Sequence, residues 1–103
     1  MKRPKHCVIF SEPALDDLWL IDLYLMDASP SAADKYRRLF EDAAEYLAGH
    51  PRAGHTREDL DDKSLLAWVV WPYVIVYKLE QPDVKVIRVL HGHRDIGTIM
   101  GNA

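Results

Sequence analysis

The four residues CVIF (7–10) form a short β-branched and aromatic run, which predicts a first strand. Ser11 then has the character of an N-cap, followed by Glu12 and Pro13 in a first helical turn. Ala14, Leu18, Ile21 and Leu25 recur at helical spacing, so a helix is predicted over 12–27. Trp19, Leu20, Leu23 and Met26 widen its apolar face beyond one stripe. Such a helix is expected to be buried on more than one side or to face a partner. Ser29-Pro30 is a second start signal. Tyr36, Phe40, Ala43 and Leu47 form the stripe of this helix, with Leu39 and Tyr46 beside it. Gly49 suits a C′ position, and Pro51 prevents continuation. A connection of about three residues between the helices implies an antiparallel hairpin.

Residues 51–63 (PRAGHTREDLDDK) are polar and carry Pro and Gly, and they read as a loop with Leu60 as its apolar anchor. LLAWVVW (65–71) and YVIVYKL (73–79) read as antiparallel strands about Pro72. After a turn at Gln81-Pro82-Asp83, VKVIRVLH (84–91) reads as the last strand. The order β-α-α-β-β-β defines an α+β domain, with the helical hairpin on one face of a mainly antiparallel sheet.

Composition narrows the classes. A chain of 103 residues, 49% of them hydrophobic, suits one domain spanning 1–103. The net charge of −3 argues against general nucleic-acid binding, while leaving room for a local basic patch. The single cysteine, Cys7, excludes an internal disulfide framework. With no apolar h-region after the basic MKRPKH, a reducing, cytoplasmic location is expected. The longest apolar run, residues 65–77, is too short for a membrane helix and contains Pro72, so no membrane association is expected.

Candidate chemistry concentrates in VIRVLHGHRDI (86–96). Regular alternation puts Ile87, Val89 and His91 on one face and Val86, Arg88 and Leu90 on the other. Arg88 reads either as the partner of a carboxylate, with Asp95 or Asp59 available, or as an anion-binding or partner-binding arginine. His91-x-His93 with Asp95 offers an incomplete metal ligand set, so no metal or other cofactor is expected. An RNase needs a base for the ribose 2′-OH, cations for the phosphate, and an acid for the leaving oxygen. His91, His93, Arg57, Arg88 and Arg94 supply those residue types without fixing a geometry. Arg52 and Arg57 make the 51–63 loop locally basic, so it reads as a solvated loop or a recognition loop. Most aromatics of the central hairpin (Trp68, Tyr73, Tyr77) are expected in the core, with Trp71 exposed at the turn.

These segments together resemble one family. They are A-L-x-D-L-x-x-I (Ala14 to Ile21) with Tyr24, and P-x-x-G-x-x-R-x-D-L (Pro51, Gly54, Arg57, Asp59, Leu60). P-Y-V-I-V-Y (72–77) and R-V-L-H-G-x-R-D-I (Arg88 to Ile96) complete the set. The order is similar to that of the ParE/RelE superfamily, toxins of type II toxin–antitoxin modules. The ribonuclease branch commonly places a basic residue after the aromatic that opens the third strand, and a tyrosine or histidine near the C-terminus. Here Val74 follows Tyr73, and GTIMGNA has no tyrosine, so the chain looks closer to ParE. The resemblance implies a toxin that inhibits DNA gyrase by binding, without catalytic residues of its own. Its alternatives are a RelE-like, ribosome-dependent mRNA endonuclease and a non-toxic member that only binds antitoxin. It also implies a cognate antitoxin, a ribbon-helix-helix or similar DNA-binding protein. The antitoxin's tail would fold over an apolar groove, with operator DNA reached only through the antitoxin. The groove candidates are Leu18, Trp19, Leu23, Met26 and Trp71. The target-facing candidates are Arg57, Arg88, His91, His93, Arg94 and Asp95.

Overall fold

In the computed structural model, residues 7–101 are described. The elements run β1 (Val8–Phe10), α1 (Glu12–Ala28), α2 (Pro30–Gly49), β2 (Leu65–Val70), β3 (Tyr73–Glu80), β4 (Asp83–His91) and α3 (Ile96–Gly101). The sheet order is β1-β4-β3-β2, with β1 parallel to β4 and the other pairs antiparallel. The predicted α+β order is thus observed, with a short helix added after the last strand.

Local chemistry explains the element ends. The Ser11 hydroxyl accepts the Ala14 N–H at 3.1 Å, as an N-cap does, and donates to the Ile87 carbonyl at 2.7 Å. The start of α1 is thereby fixed to β4. Ser29 alone separates the two helices. Its N–H closes α1 on the Leu25 carbonyl, and its hydroxyl caps α2 by accepting the Ala32 N–H. The connection is therefore tighter than the three residues expected. Gly49 is the last helical residue and His50 the C-cap, two positions later than Gly49 at C′ would place it.

Two cores flank the sheet. Ala14, Ala43, Leu47, Tyr73, Ile75, Tyr77, Val84, Val86 and Val89 form the larger one, beneath the helical hairpin. On the opposite face, Leu60, Leu65, Ala67, Val74, Val76, Leu90 and Ile96 form a second. The sequence pointed to one covered face. The other is closed by the 51–63 loop, through Leu60, and by α3, through Ile96.

The alternation expected along β4 fails at one point. Tyr77 pairs with Val86 and Val76 with Arg88, so Ile87 is an extra residue in the ladder, a β-bulge. The bulge shifts the parity, so Val86 and Val89 both face the helices and Leu90 faces the second core. Uniform alternation had put Val86 with Leu90, and the inserted residue accounts for the error.

Candidate functional site

The bulge lies where β1 gives out. Ser11 N–H still bonds the Val86 carbonyl, but the chain then turns into α1, leaving the upper edge of β4 without a strand. Asp17, on the second turn of α1, fills that place. Its carboxylate accepts the Val89 N–H at 2.9 Å and the Arg88 guanidinium through two bonds of 2.7 and 2.8 Å. The pair is largely shielded, with side-chain exposures of 10% for Asp17 and 24% for Arg88. Donating these bonds to Asp17 raises the Arg88 pKa above its ordinary value, against an opposing desolvation. The paired reading of Arg88 is therefore right in kind, but its partner is Asp17 rather than Asp95 or Asp59. Sequence distance hid it: the two lie 71 residues apart.

The other polar candidates separate into two groups. At the end of β4, the His91 ring packs edge-on against Tyr73, with centroids 5.6 Å apart. The His93 ring stacks on His91 at 5.0 Å and meets Trp71 edge-on at 6.1 Å. His91 Nδ1 accepts the His93 N–H at 3.1 Å, which fixes the tautomer of neutral His91. Arg94 is exposed beside this cluster, and its N–H donates to the His91 carbonyl. Pro72 and Gly92 complete the turn, where the Gly92 N–H bonds the Pro72 carbonyl at 2.7 Å; a Cβ on Gly92 would lie 3.1 Å from that same oxygen.

Arg57 and Asp95 belong to the second group, around the 51–63 loop and α3. The Arg57 guanidinium is bidentate on Asp59, at 2.8 and 2.9 Å. Each partner's hydrogen bond moves the other's pKa, Arg57 upward and Asp59 downward. Asp95 caps α3, accepting from the Thr98 hydroxyl at 2.7 Å and the Thr98 N–H at 3.2 Å. These bonds lower its pKa, while the nearby Asp59 opposes the shift. Among the described residues no three His, Cys, Asp or Glu side chains converge as a metal site requires.

The helical hairpin carries the second candidate surface. Leu15, Trp19, Leu20, Leu23, Tyr24 and Met26 are all exposed on α1, Trp19 at 63% and Tyr24 at 69%. Leu18 instead packs partly buried against the larger core. One groove lies between the helices, lined by Leu18, Trp19, Ile21, Leu25, Tyr36 and Phe40 among others, with the Asp22–Arg37 pair beside it. A second groove lies on the other flank of α1, lined by Leu20, Tyr24, Tyr36, Pro72, Tyr73 and His91. The Tyr36 hydroxyl donates to the Trp71 carbonyl at 2.9 Å and joins α2 to the β2–β3 turn. Trp71 itself is 69% exposed, as its place beside Pro72 suggested. It lies at the turn and not in the groove between the helices, and it lines a separate hollow with Leu39, Tyr46 and Trp68. Leu20 and Tyr24 were not among the candidates. The i, i+4 spacing of Leu20 and Tyr24 to one another could have singled them out.

A hairpin of two helices over a four-stranded sheet, with a bulged last strand ending in a polar turn, defines the class of fold. A family model described as the ParE toxin of the type II toxin–antitoxin system parDE matches residues 8–96. The chain therefore belongs to the ParE toxin family. Among solved structures, the chromosomal ParDE toxin–antitoxin system of P. aeruginosa is similar in fold, with a TM-score of 0.69 at 14% identity. The match covers 84% of this chain and 96% of the other. No curated protein matches the chain by sequence. No helix among the described residues is long and apolar enough to cross a membrane.

Proposed function

We propose that the whole chain is one toxin domain that acts in the cytoplasm by binding DNA gyrase and blocking replication. It would be neutralised when the tail of a cognate antitoxin, a ribbon-helix-helix or similar DNA-binding protein, covers the helical hairpin. Operator DNA would be engaged through that antitoxin only.

One observation carries the preference for binding over catalysis: the arginines expected to hold a phosphodiester are already engaged. Arg88 is closed on Asp17 and Arg57 on Asp59. Phosphoryl chemistry calls for cations aimed at the charge that develops and a base within reach of the 2′-OH. Arg94 remains beside the histidines, and the other two guanidinia are directed elsewhere. Family membership supports the toxin–antitoxin part of the reading, and the exposed apolar face of α1 supports the antitoxin's place on it.

The test is a supercoiling assay with purified gyrase. The expected result is accumulation of linear, cleaved DNA on addition of the protein. Arrest of cell-free translation with cut mRNA, and no effect on gyrase, would replace this reading with endonuclease activity. Neither effect, with the antitoxin still bound, would leave a non-toxic binding partner.

A further inference from the structure

The charge on α1 is one-sided. The helix carries Glu12, Asp16, Asp17, Asp22 and Asp27 and no basic residue. Two of these acids are occupied, Asp17 by Arg88 and Asp22 by Arg37. Asp16 and Asp27 are exposed and make no ion pair among the described residues. Separated by eleven positions, or three turns, they lie on one line along the helix. Leu15, Trp19, Leu23 and Met26 run along one side of that line, and Leu20 and Tyr24 along the other. The exposed face is thus two apolar stripes with an acidic seam between them. Asp27 also sits in the last turn, where the helix dipole disfavours a carboxylate and a basic residue would be expected.

We infer that the antitoxin segment covering this face is a cationic amphipathic one, whose Lys or Arg side chains meet Asp16 and Asp27 between apolar anchors seated on the two stripes. This rests on the antitoxin reading above and adds to it the chemistry of the partner. An apolar face of this width needs a cover. An acidic seam within it makes an anionic or neutral cover costly, because the carboxylates would be desolvated without a counter-charge. A second copy paired α1 to α1 is disfavoured for the same reason, since two helices that bear only acids would be opposed. An anionic lipid surface is disfavoured likewise.

The experiment is calorimetric titration of the full-length toxin with its antitoxin at two salt concentrations, for wild type, the double variant Asp16→Lys/Asp27→Lys, and Trp19→Ala. Wild-type affinity should fall with salt. The double charge reversal should weaken binding about tenfold or more and flatten its salt dependence. Trp19→Ala should weaken binding and keep the salt slope. Lysine at 27 suits the helix end, so thermal melting of the reversed variant should show it as stable as wild type. Unchanged affinity and slope in the reversed variant would overturn the inference while leaving the antitoxin reading standing. Absence of wild-type binding would instead defeat the antitoxin reading. A free toxin that sediments as a dimer broken by Trp19→Ala would assign the face to a second copy and overturn the proposal.

Discussion

Asp17 and Arg88 show how far a residue's role depends on partners remote in sequence. Of the two readings open for Arg88, a carboxylate's partner or a target-binding arginine, its bidentate bond to Asp17 favours the structural one. Replacing Arg88 with alanine leaves a shielded carboxylate holding only the Val89 N–H. The Arg88→Ala protein should therefore lose about 2 kcal/mol of stability, measured by urea unfolding. Loss of toxicity in that variant would reflect the fold unless stability is restored. Tyr77 offers a second residue-scale test. Its buried hydroxyl donates to the Pro51 carbonyl at 2.9 Å and accepts the Gly54 N–H at 2.8 Å, anchoring the 51–63 loop to the core. Tyr77→Phe removes both bonds and should cost about 1–2 kcal/mol. A side chain on Gly54 would put its Cβ 2.5 Å from that hydroxyl, so Gly54→Ala should be destabilising too.

At the scale of elements, periodicity and caps located both helices and all four strands to within a residue or two. These depend on neighbours in sequence: Ser11 before a helical stripe, Ser29-Pro30 at the next start, Pro72 between two strands. The bulge at Ile87 and the helix α3 escaped because neither is a local pattern. A bulge depends on the register of the partner strand. The segment IGTIMG is too short and too weakly periodic to announce a helix, and it forms on Asp95 as a cap with Ile96 seated in the second core. The same limit applied to the site. Trp71's exposure was legible from the turn beside it, whereas the Asp17 pairing and the second apolar groove needed the folded chain. Ile96 is fully buried, so Ile96→Ala should cost about 2–4 kcal/mol in thermal or chemical unfolding. Truncation after Gly92 removes that contact as well, so reduced toxicity from such a protein is informative only if its circular dichroism remains native.

Over the whole molecule, the acidic balance gives a pH expectation. Asp59 and Asp95 have pKa values held below the ordinary carboxylate value, the first chiefly by Arg57 and the second chiefly by the Thr98 hydroxyl. Groups whose pKa is depressed in the folded state stabilise it above their unfolded pKa, and that contribution is lost as pH falls through the folded value. The loop and α3 should therefore loosen below about pH 4, detectable as lower amide protection there than at neutral pH once each rate is referred to the unstructured-chain rate at the same pH. Antitoxin binding is expected to respond to different positions. Leu23 is exposed, so Leu23→Glu should weaken the complex without unfolding the toxin. Leu18→Glu should unfold it, because Leu18 packs on the core.

The carboxylate of Asp17 at the upper edge of β4 has one more consequence. An uncovered strand edge invites addition of a foreign strand, and a short β1 would otherwise leave such an edge open. By binding the Val89 N–H, Asp17 occupies a donor that an incoming chain would use, and a strand laid over its ion pair with Arg88 would have to desolvate it. With that donor freed, Asp17→Leu is expected to raise the fraction of protein lost to aggregates at working concentration.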